Sequence, residues 1–253
     1  MSRSNVPVET VDKSLDIVEY LESYGPAGVT DIATAVGTAN STVHNHLMTL
    51  KQRGYVVQTT AGYKLGLRFL RLGESTRTTT DVYEVARPQV EQLVAETTLV
   101  GNLAVRQNHR GVYLYRSRGS DEIRFSTTAG EFHELYCTAT GKAMLAFESE
   151  ETRQALLEDI DLSQHTTNTI TSTASLIEEL GQVREQGVAF DDEEYGHGLR
   201  CVGVPIVGPD DRPTGAISVS GPASDLTGEW YTETLPDKLT ATANRVELNL
   251  RDY

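Results

Sequence analysis

Residues 29–50 read VTDIATAVGTANSTVHNHLMTL, and this stretch decides how the first third of the chain folds. Val29, Ile32, Ala33 and Val36 recur at helical spacing and form one short apolar stripe. Val43, Leu47 and Leu50 form another. Gly37 closes the first helix, and Thr38-Ala39-Asn40-Ser41-Thr42 supplies cap-type residues that open the second. The turn between them is about four residues, the spacing of a helix-turn-helix. Upstream, Val11, Leu15, Val18 and Leu21 predict a further helix, and Gly25-Pro26 separates it from the pair. Downstream of Gly54, the β-rich run Tyr55–Thr60 turns at Ala61-Gly62 and returns through Tyr63-Lys64-Leu65, which predicts a short hairpin, a wing.

With Val43 facing the core, Ser41, Asn45, Met48 and Gln52 fall on the exposed side of their helix, with Thr42 and His44 flanking. An Asn amide can bridge adenine in the major groove, and Ser or Thr can reach phosphate. Lys64 on the wing suits backbone contact. Asn40, Ser41, Thr42, His44, Asn45 and Lys64 are therefore the candidate DNA-contacting set. Any one of them alone reads better as a solvated surface residue; the turn, cap and wing together favour a DNA reader.

Charge supports the division. The 253 residues carry a formal charge of −14, from 22 basic and 36 acidic side chains. Residues 1–75 hold 7 of each sign, so the whole surplus lies beyond them. Only five of the basic residues are Lys. Such a surface stays hydrated in concentrated salt; a salt-rich cytoplasm is the preferred reading, an ordinary acidic surface the alternative. No apolar run approaches the ~20 residues that span a bilayer, and residues 1–11 lack the order of a signal peptide. Cys137 and Cys201 are too far apart in sequence for a paired motif, and a reduced, cytoplasmic setting is expected.

The length suits two unequal domains: residues 7–68, and residues 69–253 comprising a linker helix and an α+β domain. Residues 66–97 read as helix with a polar break at Ser75–Asp81. Strands are predicted at Leu99–Arg106, Val112–Arg118, Ile123–Thr127, Val188–Asp192, Leu199–Val207 and Gly215–Ser220. Helices are predicted at Thr138–Phe147, Glu151–Leu157, Ala174–Gln186 (with Ser175 and Glu178 as a capping box, and Gly187 ending it) and Tyr231–Leu250. Short turns such as Asn108–Gly111 and Gly208–Asp211 predict antiparallel pairing.

Several strings together resemble the IclR family of transcriptional regulators. In the first domain they are Lys13-Ser14-Leu15, Val29–Ala33, Ser41-Thr42-Val43-His44, Gly54-Tyr55-Val56 and Tyr63–Gly66. In the second they are Cys137–Ala143, similar to a TA-x-GKA segment, Gly187–Glu194, Cys201–Ile206 and Ser218–Pro222. The resemblance implies a winged helix joined by a linker helix to a GAF-like antiparallel-sheet effector domain, a homodimer or dimer of dimers, and ligand-controlled binding to promoter DNA. One departure is visible: Asn45 stands where family members often carry Arg, so no family operator carries over.

Alternation puts Leu199, Cys201 and Gly203 on one face of a strand and Val202, Val204 and Ile206 on the other, and separates Ser218 and Ser220 from Ile217 and Val219 in the same way. The aliphatic faces need a helix layer; the small and polar faces can line a cavity. The resemblance places Asp191, Cys201, Ser218 and Ser220 in the effector pocket, with Ala139 and Thr140 contributing backbone groups and Phe125, His133 and Leu199 as walls. Thr138–Lys142 opens a helix whose free amides can hold a carboxylate. Asp191 would repel that acid and so should meet a hydroxyl, which favours a hydroxy acid or sugar acid from a catabolic pathway. The plain alternatives are satisfied serines, a core cysteine and a turn-capping aspartate. Gly141-Lys142 lacks the glycine spacing of a phosphate loop. Cys137, Cys201, His133 and Asp191 are zinc-compatible residue types, but nothing sets four ligands at ~2 Å, so neither metal nor cofactor is expected. The competing function is a sensor or enzyme with a degenerate winged helix, for which Cys201 with His133 and Asp191 is the one candidate set.

Overall fold

A computed structural model describes residues 6–119 and 128–251. The chain divides into two compact units, Met1–Thr76 and Arg77–Tyr253. The helix Arg68–Thr78 begins where the linker helix was expected, and the two units part near its C-terminal end.

The first unit holds α1 (Glu9–Tyr24), α2 (Val29–Ala35), α3 (Asn40–Gln52), and the hairpin β1 (Val56–Thr59) and β2 (Gly62–Leu65). Ile17, Leu21, Ile32, Val43, Leu47 and Val56 form its core. The stripes read for α2 and α3 do meet there, but α1 is rotated from expectation: Ile17 and Leu21, one helical turn apart, face the core, while Val11 and Leu15 are exposed. Gly25 and Gly37 both take positive φ, which lets the chain leave α1 and α2 abruptly. The opening of α3 differs from expectation: Ala39 is the N-cap and makes no side-chain cap bond, while Asn40 is already helical. The wing is tied down by an Ala27–Tyr63 bridge that passes so close to Gly62 that a Cβ there would strike the Ala27 carbonyl.

The helix Arg68–Thr78 is α4, and α5 follows at Asp81–Thr97, so the polar break falls at residues 79–80. The sheet strands are β3 (Val100–Gln107), β4 (Arg110–Arg118), β5 (Phe132–Glu134), β6 (Ala189–Asp192), β7 (Leu199–Val207) and β8 (Pro213–Pro222). They are antiparallel throughout, in the order β5-β4-β3-β8-β7-β6. The helices are α6 (Ala139–Phe147), α7 (Glu150–Asp159), α8 (Thr173–Gln186) and α9 (Leu235–Leu250), the last preceded by a π-turn at Trp230–Thr234. The expected strand Ile123–Thr127 lies outside the described residues, and the short strand β5 was not foreseen. Ser172, not Ser175, caps α8; its hydroxyl accepts from the Ser175 amide at 3.1 Å.

The two sheet faces have different fates. Val202, Val204, Ile206, Ile217 and Val219 pack with Val90, Leu93, Leu235, Leu239 and Val246 of α5 and α9. The opposite face carries Ala104, Ala189 and Ala216, small enough for α6 and α8 to lie against them. Gly203 continues that economy: a Cβ there would stand 2.8 Å from the Ala139 backbone. The first turn of α6 can therefore sit directly over the sheet.

Candidate functional site

On the first unit, Asn40, Ser41, His44, Asn45, Met48 and Gln52 of α3 are exposed, and Thr42 is half-buried. His46 turns the other way and meets the Ser14 hydroxyl through Nδ1 at 2.8 Å, tying α3 to α1. Lys64 is exposed on the wing. Lys51, which the sequence reading passed over, donates from Nζ to Gln58 Oε1 at 2.8 Å and so joins the end of α3 to β1. Exposed amide, hydroxyl and imidazole groups on one helix, with a lysine beside them, match the groups that read base edges and phosphates.

On the second unit, the sheet face opposite α5 and α9 encloses a cavity of about 170 Å³. Its floor is Cys201 and Leu199 of β7, Ser218 and Ser220 of β8, and Asp191 of β6. Thr138, Ala139 and Thr140 bring the start of α6 to it, Tyr113 and Arg116 come from β4, and Glu131 and Tyr195 come from loops. Cross-strand register explains the convergence: Asp191 pairs with Cys201, and Cys201 with Ser220, in one row. Gly203 pairs with Ser218, Ser218 with Asn102, and Asn102 with Arg116 in the next.

Helix α6 opens on Thr138, whose hydroxyl donates to the Glu134 carbonyl at 2.7 Å and accepts from the Gly141 amide at 3.3 Å. The Gly141 amide, expected among the ligand-binding donors, is thus already taken. The Ala139 and Thr140 amides have no protein partner among the described residues, and both residues line the cavity. Gly141 itself is required by packing, since a Cβ would overlap the Leu135 backbone.

Asp191 is fully buried. Its Oδ1 accepts from the amides of Glu194 (2.8 Å) and Tyr195 (3.2 Å), while Oδ2 has no partner. Burial pushes its carboxyl up to about 7, although the two amides and Lys142 pull the other way. Lys142, only 1% exposed, is held by Glu179 at 2.8 Å and by Glu194, so it braces the loop after β6 and does not face the cavity.

Leu199, Cys201, Ser218, Ser220, Asp191, Ala139 and Thr140 do line one cavity. His133 does not. Its ring lies behind the wall, stacked on Tyr113 at 4.2 Å, with Nε2 on the Thr140 hydroxyl at 3.1 Å. Burial lowers its pKa to about 3, so it is neutral there. Phe125 lies outside the described residues. The sequence reading missed Tyr113, Arg116, Glu131 and Tyr195, the strongest cation of the wall among them. The candidate nucleophile set is also corrected. Burial drives the Cys201 thiol well above its ordinary value, the reverse of an activated thiolate, and the His133 imidazole is engaged with Thr140. Among the described residues no group of three or more His, Cys, Asp or Glu is placed to hold a metal ion, and no helix is long and apolar enough to cross a membrane.

A winged helix with an exposed polar reading face, followed in the same chain by a sheet domain around a cavity of mixed polar and apolar lining, defines a DNA-binding protein that carries its own ligand domain. Residues 75–248 match the family described as bacterial transcriptional regulator IclR C-terminal, and residues 10–60 match the IclR helix-turn-helix domain. The chain belongs to the IclR family of DNA-binding transcriptional regulators. It is 30% identical to a probable HTH-type transcriptional regulator ArcR of Halobacterium salinarum, over 96% of this chain and 94% of that one. It is 32% identical to the transcriptional repressor IclR of Escherichia coli, over 89% and 84%. A putative transcriptional regulator from Rhodococcus superposes with a TM-score of 0.87 at 27% identity, over 97% and 99% of the two chains. An IclR homologue from Microbacterium hydrocarbonoxydans, solved with 4-hydroxybenzoate, has a TM-score of 0.83 at 19% identity, over 96% and 100%.

Proposed function

We propose that this regulator is switched by a small organic acid bearing a hydroxyl, held in the cavity of the second unit, and that it controls a catabolic operon. The observation that carries this reading is the pairing of donors and acceptor across one small space. Ser218, Ser220, Ala139 and Thr140 line the same cavity as Asp191, whose buried Oδ2 has no partner. An acid group suits the donors and the start of a helix; a ligand hydroxyl suits Asp191. A cavity of this volume takes a molecule of roughly benzene size or slightly larger. The homologue that holds 4-hydroxybenzoate, itself a hydroxy acid, agrees in chemistry.

Ser41, Thr42, His44 and Asn45 read the operator, with Asn40 and Lys64 on its backbone. Two chains pair so that two winged helices meet half-sites a whole number of helical turns apart. The exposed Leu67, Leu70 and Leu72 around α4 and Val8, Val11 and Leu15 near α1 supply apolar surface for that pairing. The acidic surplus, wholly beyond residue 75, leaves the reading unit neutral and suits solubility in concentrated salt.

The test is a thermal-shift screen of small hydroxy acids followed by gel shift on the chain's own upstream DNA. A Ser218→Ala, Ser220→Ala double variant is expected to bind DNA as the wild type does and to lose its response to the acid that stabilises the wild type. Retained response in that variant, or no effect of any stabilising acid on DNA binding, overturns the reading.

A further inference from the structure

Asn102 does not line the cavity, yet it touches both serines that do. Its Nδ2 donates one hydrogen to Ser218 Oγ at 3.0 Å and the other to Ser220 Oγ at 3.1 Å. Its Oδ1 accepts from Arg116 Nε at 2.7 Å. An arginine Nε–H is only a donor, so the amide cannot be turned over: Oδ1 must face Arg116, and Nδ2 must face the serines. The side chain is 1% exposed and pairs in register with Ser218 on one side and Arg116 on the other, so it has nowhere else to go.

This has a consequence for what the cavity accepts. A serine hydroxyl is one donor and two acceptors. At both Ser218 and Ser220 a lone pair is occupied by the Asn102 amide, and an Nδ2–H offers nothing for the hydroxyl hydrogens to bond. The O–H groups must point elsewhere: towards the cavity, where the Cys201 thiol is a weak acceptor beside Ser220. Each hydroxyl keeps one further lone pair, but its hydrogen is left for the cavity, so a pair that would otherwise adapt to a donor or an acceptor is biased towards donating.

We infer that Asn102 is a positioning residue that sets the polarity of the cavity, so that Ser218 and Ser220 present donors and the site selects an acceptor group such as a carboxylate over its amide counterpart. The inference deepens the organic-acid reading above and rests on it for the ligand class. Arg116 takes part as the group that orients Asn102.

The experiment uses matched pairs of probes: lactate against lactamide, and benzoate against benzamide. The members of each pair share a shape and differ in charge and in whether the end group only accepts or also donates, so the charge contribution of Arg116 is common to the wild type and the uncharged Asn102→Ser variant. Each is titrated by calorimetry into the full-length wild type, Asn102→Asp and Asn102→Ser. The wild type is expected to favour the acid of a pair at least tenfold. Asn102→Asp keeps the shape but accepts from both serines and turns their hydrogens away, so the acid preference should be lost or reversed. Asn102→Ser, which adds no charge, should reduce the preference towards unity. An acid-to-amide ratio unchanged in both variants, or a wild type that favours the amides, overturns the inference.

A second arm needs no ligand. The stability loss of Asn102→Ser is measured in the wild-type background and in the Ser218→Ala, Ser220→Ala background. Coupling between them supports the relay; strictly additive losses overturn it. A wild type that binds none of the four probes counts against the organic-acid reading alone, and Asn102 is then decided by this second arm.

Discussion

The imidazole of His133 lies across the α-carbon of Gly111, its register partner on β4, so closely that a Cβ at Gly111 would overlap three ring atoms. The same ring stacks on Tyr113, a wall of the cavity, and holds the Thr140 hydroxyl at the start of α6. Gly111→Ala must displace the ring, and with it two parts of the wall. A destabilisation of about 1–3 kcal/mol is expected, as for other overpacked cores, together with weaker binding of any cavity ligand. Denaturant unfolding and ligand calorimetry check this; wild-type values in both would show that the ring moves without cost.

Asp191 gives the second unit a pH dependence of defined sign. Its carboxyl is held at about 7 in the folded chain, against an ordinary value of 3.8. An acid whose pKa rises on folding leaves stability intact below the unfolded value and removes it as pH climbs through the folded one. The window here is about pH 4 to pH 7. Asp191→Asn keeps an oxygen for the Glu194 and Tyr195 amides and removes the buried charge. It should match the wild type near pH 4 and exceed it at pH 8, by about 4 kcal/mol at most. Urea melts at the two pH values decide it, and a variant that gains nothing at pH 8 relative to pH 4 would show that the buried carboxylate is better solvated than its surroundings indicate.

Much of this architecture was legible from residue pattern, and the failures have identifiable causes. The stripes of α2 and α3 were readable because each buries one helical face in a small core. On α1 apolar residues lie on more than one face, and the buried pair Ile17 and Leu21 is not the stripe of Val11 and Leu15, which stay exposed. Leu199–Ile206 and Ala216–Ser220 were readable because β7 and β8 alternate without interruption across the cavity row. On β4 the same reasoning fails. Leu103 pairs with Tyr115 and Ala104 with Tyr113, which leaves Leu114 as an extra residue, a bulge. Strict alternation would put Tyr113 and Tyr115 on one face and Arg116 on the other. The bulge instead brings Tyr113 and Arg116 to the cavity and turns Leu114 and Tyr115 to the core under α5 and α9. A single inserted residue thus hid the cation of the site. Asn102 was hidden differently: it acts through Ser218 and Ser220, and no spacing in the sequence marks a residue that sits behind the wall.

Lys142 is conspicuous in the sequence beside Gly141, but its place is structural. With 1% of its surface exposed, it neutralises Glu194, whose second oxygen is buried without a partner. Glu194 also supplies one of the amides that hold Asp191. Lys142→Met fills the same space and leaves a buried carboxylate uncompensated, which costs about 3–5 kcal/mol. In a unit of this size that corresponds to a fall of roughly 6–20 °C in melting temperature. A double variant that also carries Glu194→Gln should recover most of the loss. Calorimetric melts of the single and double variants test both statements, and no recovery would mean that the stem of Lys142, rather than its charge, supports the fold.

Asn45 and Lys64 are expected to fail in different ways on DNA. Asn45 is exposed on α3, where an amide can meet a base edge with both a donor and an acceptor. Asn45→Ala should weaken binding to the operator by about 1–3 kcal/mol and relax discrimination at one base position in each half-site. Lys64 is exposed on the wing, where its ammonium is proposed to meet phosphate. Lys64→Ala should weaken operator and unrelated DNA alike, and lower the dependence of log affinity on log salt by about 1. The contrast matters because the reading unit is neutral overall, so each cation it offers to phosphate is a large share of its attraction for DNA. Footprinting titrations on operator and scrambled duplexes at three salt concentrations separate the two roles. If Asn45→Ala lowers both duplexes equally, it touches phosphate and is not a reader; if Lys64→Ala leaves the salt slope unchanged, the wing does not reach the backbone.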